Sequence, residues 1–161
     1  MRHIVSSVAV AVLVFVTGCS AENQQPDYQP ILDFQTTTIE GQAFSGSDLE
    51  GENVLVWFWT PWCSICAKES NDIRELSAQY PDVRFIGIAG YGSAAEMQDF
   101  VERTSTAHIV HLNDATGALW TGFAVPIQPS VVTLTKSGSA TLRVGPSTRS
   151  DLEALLSELV S

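Results

Sequence analysis

The sequence predicts an α/β domain in which a mixed central sheet is flanked by helices and preceded by a β-hairpin. Three observations predict it. Val54-Leu55-Val56-Trp57-Phe58-Trp59 is continuously apolar, as a central strand covered on both faces requires. An amphipathic stretch follows, then a second apolar run from Val83 to Ala89; strand, helix and strand in that order make the two strands parallel. Near the end, Val131 to Thr135 and Thr141 to Val144 are β-rich and joined by Lys136-Ser137-Gly138-Ser139, an antiparallel hairpin.

The elements follow in order. Met1-Arg2-His3 is a short basic start, and Ile4 to Val16 is apolar but too short to span a bilayer. Val16-Thr17-Gly18-Cys19 closes it with small residues, so residues 1–18 read as a signal peptide. Residues 19–30 are polar and proline-bearing, a flexible tether. The domain occupies residues 31–161. Alternation around Glu40-Gly41 marks the hairpin, and a short helical turn is expected at Ser47-Asp48-Leu49. In the stretch after the first strand, Cys66, Ile73, Leu76 and Tyr80 share a helical face opposite Lys68, Asp72 and Glu75, until Pro81-Asp82 ends it. Met97, Phe100 and Val101 mark a second helix, His108 to Leu112 a short strand, and Asn113 to Gly117 a turn. Leu152, Leu155, Leu156 and Leu159 mark a closing helix between Ser147 and Val160.

The chemistry concentrates in Trp62-Cys63-Ser64-Ile65-Cys66. Cys63 lies where the first strand turns, at Thr60-Pro61, into the helix. Unpaired backbone N–H groups and the positive end of a helix dipole favour thiolate there, and thiolate is the reactive form. Cys66, one turn on, can attack a mixed disulfide formed on Cys63. A zinc site needs a second ligand pair, and the candidates His108 and His111 are three apart on an expected strand, facing opposite sides. A purely structural disulfide closing so short a loop constrains the unfolded chain very little. No metal or cofactor is expected.

Without Arg2, seven Lys and Arg stand against 18 Asp and Glu, about −11 for the mature chain. That charge excludes nucleic acid and anionic membrane surfaces as partners, and disfavours acidic substrates at long range.

With these motifs the chain resembles the thioredoxin-like superfamily, in its extracytoplasmic TlpA/ResA/DsbE (redoxin) branch, over residues 31–161. Trp-Cys-x-x-Cys after a buried strand carries the resemblance, with Glu69 where the branch has an acid, and Phe123-Ala124-Val125-Pro126-Ile127-Gln128-Pro129-Ser130. Trp59-Thr60-Pro61-Trp62-Cys63 is similar to actinobacterial DsbE/DsbF-type lipoproteins. The resemblance implies a thioredoxin-like fold, Cys63 as exposed nucleophile, Cys66 as buried resolving thiol, and Trp62 covering the disulfide. It implies a cis Gln128–Pro129 bond whose backbone, with the Gln128 side chain, meets an extended client. Val16-Thr17-Gly18-Cys19 resembles a bacterial lipobox, implying acylation of Cys19 and anchoring to the cell membrane. An ordinary secretory signal is the alternative. Two departures stand out: Trp57 replaces the buried aspartate of thioredoxin, and Asn71 a helix-kinking proline.

The expected activity is extracytoplasmic thiol–disulfide exchange, forming or rearranging disulfides in exported proteins. The resemblance adds a membrane redox partner of VKOR-like or CcdA/DsbD-like type. A reductant for exported thiols, as in cytochrome c maturation, is the alternative direction. A thiol peroxidase would place Thr60 three residues before Cys63, but the proline it needs is Val56 here. A surface binding protein leaves the cysteine pair unexplained.

Overall fold

A computed structural model describes residue 30 and residues 32–161 of the chain. The expected signal peptide, Cys19, the expected tether up to residue 29, and residue 31 lie outside the described residues.

Five strands form the central sheet in the order β5-β4-β3-β6-β7. β3 (Val54–Trp59) is its axis, with β4 (Arg84–Gly90) parallel on one side and β6 (Ser130–Leu134) antiparallel on the other. β5 (Val110–Asp114) extends the parallel half and β7 (Ala140–Val144) closes the hairpin with β6. A separate antiparallel pair, β1 (Gln35–Thr37) and β2 (Ala43–Ser45), precedes it. A 3-10 turn at Gly46–Leu49 follows where a helical turn is expected.

The unbroken apolar run of β3 serves two cores because strand side chains alternate. Leu55, Trp57 and Trp59 pack with α1 (Ser64–Gln79), α2 (Ala94–Thr104) and α4 (Arg149–Leu159). Val54, Val56 and Phe58 pack on the other face with Phe44, Leu49 and the short α3 (Ala118–Gly122). Every β3 residue is buried, so a charge placed in the strand would be taken out of water at a cost.

Two expectations are corrected. The third strand of the parallel half begins at Val110, because the Ile109 N–H closes a turn onto the Thr106 carbonyl and holds His108 and Ile109 out of the ladder. It runs on through Asn113 and Asp114, which pair with Ala89 and Gly90 and so belong to the sheet rather than to a turn. The helix α3 adds an element to the pattern. Its N–H groups are satisfied by the Asp114 carboxylate, which accepts from Trp120 N at 2.9 Å.

Candidate active site

The sheet brings four loops to one pole: those following β3, β4 and β5, and the one entering β6. Ser130 pairs with Phe58 and Ala89 with Trp59, so Pro129, Tyr91 and Cys63 all leave the sheet at this end.

Cys63 is the N-cap of α1, and its sulfur accepts from the Cys66 N–H at 3.0 Å. A cysteine stands where helices usually place serine, threonine, aspartate or asparagine, so the cap bond falls on a reactive atom. Its own N–H donates to the Thr60 carbonyl and its carbonyl accepts from Ala67, fixing the turn on both sides. Cys63 and Cys66 are joined as a disulfide, with Cα atoms 5.2 Å apart. Cys63 is half-buried and Cys66 fully buried, which makes Cys63 the sulfur a client reaches first.

The other expected residues lie at the same pole. Trp62 is 59% exposed. Gln128–Pro129 is a cis peptide bond, as the resemblance implies, and Pro129 enters β6 opposite the end of β3. Ile127 and Ile65 are 51% and 49% exposed, so the redox pair sits in a rim of large apolar side chains. Tyr91, also half-exposed, stands in the loop after β4 with its ring edge-on to Trp120 at 5.1 Å; it takes φ 58°, in the left-handed region. The neighbouring Gly92 touches the ring of Pro61, where an added Cβ would lie 2.6 Å from Cγ.

The buried acid is carried by a different element from that of thioredoxin. Trp57 removes it from the strand, but the Trp57 indole donates to Glu69 Oε2 at 2.7 Å, and the Ser147 N–H donates to Oε1 at 2.8 Å. Glu69 is buried one turn beyond Cys66. Burial raises its carboxyl above the ordinary value, while the Ser147 N–H and the Trp57 indole oppose that rise. The Glu69 position was readable from the sequence; its tie to Trp57, across a helix–sheet contact, was not.

The histidines do not converge. His108 Nε2 meets Ser77 Oγ at 2.7 Å, whereas His111 turns into the core. There its Nδ1 accepts from the Trp59 indole at 3.2 Å and its Nε2–H donates to the Thr106 carbonyl at 3.1 Å. Burial lowers the His111 pKa to about 4, so the ring is neutral at ordinary pH.

A model of the AhpC/TSA family matches residues 28–142. The chain belongs to this family. It is 35% identical over 140 residues to the soluble secreted antigen MPT53 of Mycobacterium tuberculosis, covering 87% of this chain and 80% of that protein. The solved structure of MTB DsbF in mixed oxidised and reduced forms superposes with a TM-score of 0.77 at 30% identity, over 80% of this chain and 96% of that one. A secreted M. tuberculosis disulfide oxidoreductase homologous to E. coli DsbE gives 0.75 at 34% identity, over 80% and 97%. The fold is therefore thioredoxin-like, and within the family this chain groups with the DsbE- and DsbF-type members, as the resemblance implies.

Proposed function

We propose that this protein is a thiol–disulfide oxidoreductase of the extracytoplasmic space that forms or rearranges disulfides in exported proteins. The carrying observation is the Cys63–Cys66 disulfide at the start of α1, with Cys63 half-buried and Cys66 fully buried. A client thiolate attacks Cys63 Sγ, and Cys66 leaves as a thiolate. A second client thiol then attacks the client sulfur of the mixed disulfide and releases Cys63. The client loses two electrons and the protein ends as a dithiol. The N–H of Cys66 that caps Cys63 supports the departing thiolate in that last step. Glu69, the buried acid on the same helix, is held one turn beyond Cys66 by the Trp57 indole and the Ser147 N–H. Trp62 shields the pair, and Gln128 and Pro129 present backbone to an extended client in a short β-pairing.

The same geometry run backwards is a reductant, the second reading, and a potential decides between them. Equilibration of the Cys63–Cys66 pair against glutathione is the test. A peroxidase reading lacks the proline it needs, which is Val56 here, and the buried Thr60 hydroxyl has no hydrogen-bond partner among the described residues. The protein acts outside the cytoplasm; MPT53, to which it is similar, is a secreted antigen. Cleavage before Cys19 and acylation of its sulfur tie it to the cell membrane, and a VKOR-like or CcdA/DsbD-like membrane protein resets the pair.

A further inference from the structure

A groove of about 370 Å³ runs beside the redox pair, with Pro61 and Trp62 on one wall and Ala95, Glu96, Asp99 and Arg103 of α2 on the other. Its charges are not equivalent. Arg103 is engaged internally: it pairs with Asp99 Oδ2 at 2.8 Å, donates to the Pro61 carbonyl, and lies over the Phe100 ring 4.7 Å from its centroid. Asp99 is neutralised by the same pair. Glu96 has no cationic partner among the ion pairs of the described residues. Its Oε2 takes both the hydroxyl and the N–H of Ser93, which leaves Oε1 for a ligand. Those two bonds, the hydroxyl's first, hold the Glu96 carboxyl below its ordinary value, so it is charged throughout the neutral range. Trp62, exposed and next to Cys63, lines the same groove. On the other side of the disulfide, Ile127-Gln128-Pro129 carries no charge.

We propose that this groove is a specificity subsite that takes a lysine or arginine side chain flanking the client cysteine, held between the Trp62 indole and the Glu96 carboxylate. The inference rests on the oxidoreductase reading and narrows its substrate class. An aromatic wall alone accepts any apolar side chain, and a lone surface carboxylate binds weakly because water competes. Together they select a cation, which gains from the ring face as well as from the carboxylate. The formal charge of −10 draws cationic chains from a distance, but salt screens that attraction beyond about 10 Å at 0.1 M. Discrimination between residues on one client must therefore come from the groove.

The experiment uses the oxidised protein and three dithiol peptides identical except for Lys, Gln or Glu beside the first cysteine. Tryptophan fluorescence follows reduction of the Cys63–Cys66 pair. Each rate constant is divided by that of the same peptide with bis(2-hydroxyethyl) disulfide, which is uncharged and so removes differences in peptide thiol reactivity without removing a charge preference. The lysine peptide is expected to react about fivefold faster than the glutamate peptide at low salt. Glu96→Gln keeps an acceptor for Ser93 and so keeps the cap of α2, yet should bring the ratio below about twofold. Glu158→Gln, the same charge change at the exposed end of α4, should leave the ratio unchanged. Equal rates for the three peptides with the unaltered protein would overturn the subsite and leave the oxidoreductase reading intact. So would a ratio that survives Glu96→Gln or falls equally in Glu158→Gln. Failure to exchange with any peptide would overturn the oxidoreductase reading and the subsite with it.

Discussion

At the scale of single residues, the two cysteines differ in what surrounds them rather than in type. Cys63 is within a client's reach and carries the helix-cap bond; Cys66 is buried against the α1 core. Cys63→Ser is therefore expected to abolish exchange, whereas Cys66→Ser should accumulate mixed disulfides with clients, seen as bands lost on adding reductant. In the reduced protein an alkylating reagent should label Cys63 first. Faster labelling of Cys66 would reverse the assignment. The positions of the two cysteines were legible because the motif itself encodes them: the strand end sets Cys63, and one helical turn sets Cys66. Glu69 was legible as an acid in the right place, but not as the partner of Trp57. That bond joins a strand residue to a helix residue twelve positions on, through a packing contact that no local pattern announces.

At the scale of elements, β3, β4, α1 and the β6–β7 hairpin were readable because each has strong periodicity or an uninterrupted apolar run. The failures lie where a local interaction overrides the pattern. β5 starts late because a turn at Thr106–Ile109 uses the ladder N–H of Ile109. α3 has five residues and owes its first turn to a carboxylate outside it, so periodicity could not mark it. The caps of α2 and α4 were available in the spacing of Ser93 with Glu96 and of Thr148 with Asp151, which is the capping-box signature. His111 ties β5 to the end of β3, over Gly87, where a Cβ would lie 2.1 Å from its Nδ1. Its ring titrates near 4 in the fold and near 6.5 in the unfolded chain. Between those values the unfolded state binds the extra proton, so stability falls as pH drops from about 6.5 towards 4. Burial is the main cause; Glu40 opposes the shift, as does the Thr106 carbonyl, while His108 adds to it. The contribution amounts to about 3 kcal/mol across that window. Glu69, raised by burial, acts with the opposite sign and loses stability as pH rises through its own range. The two are separated by comparing melting temperatures of the protein with those of His111→Gln. The difference between them should shrink on acidification from pH 7 to 4; a difference independent of pH would contradict the account of His111.

At the scale of the whole molecule, the two poles of the sheet divide the work. The redox pair, Trp62, Tyr91 and the Gln128–Pro129 loop lie where β3 ends. Pro30 and Leu32 line a cavity with Leu49, Leu134 and the β6–β7 turn, where β3 begins. The six residues of β3 separate the poles by about 20 Å. The described chain therefore begins, at Pro30, at the pole opposite the disulfide. Mass spectrometry of the membrane fraction should find a mature N-terminus at Cys19 carrying a diacylglyceryl group; a soluble product starting elsewhere would contradict the anchor. Among the described residues no helix is long and apolar enough to cross a membrane. The central claim is that Cys63 and Cys66 form a reversible oxidant for exported thiols, and its most direct test is their reduction potential in a glutathione series. The account predicts full reversibility with a potential near that of protein disulfide isomerase, about −180 mV. A pair that fails to equilibrate would contradict redox exchange altogether, and one poised near thioredoxin, about −270 mV, would contradict the oxidising direction.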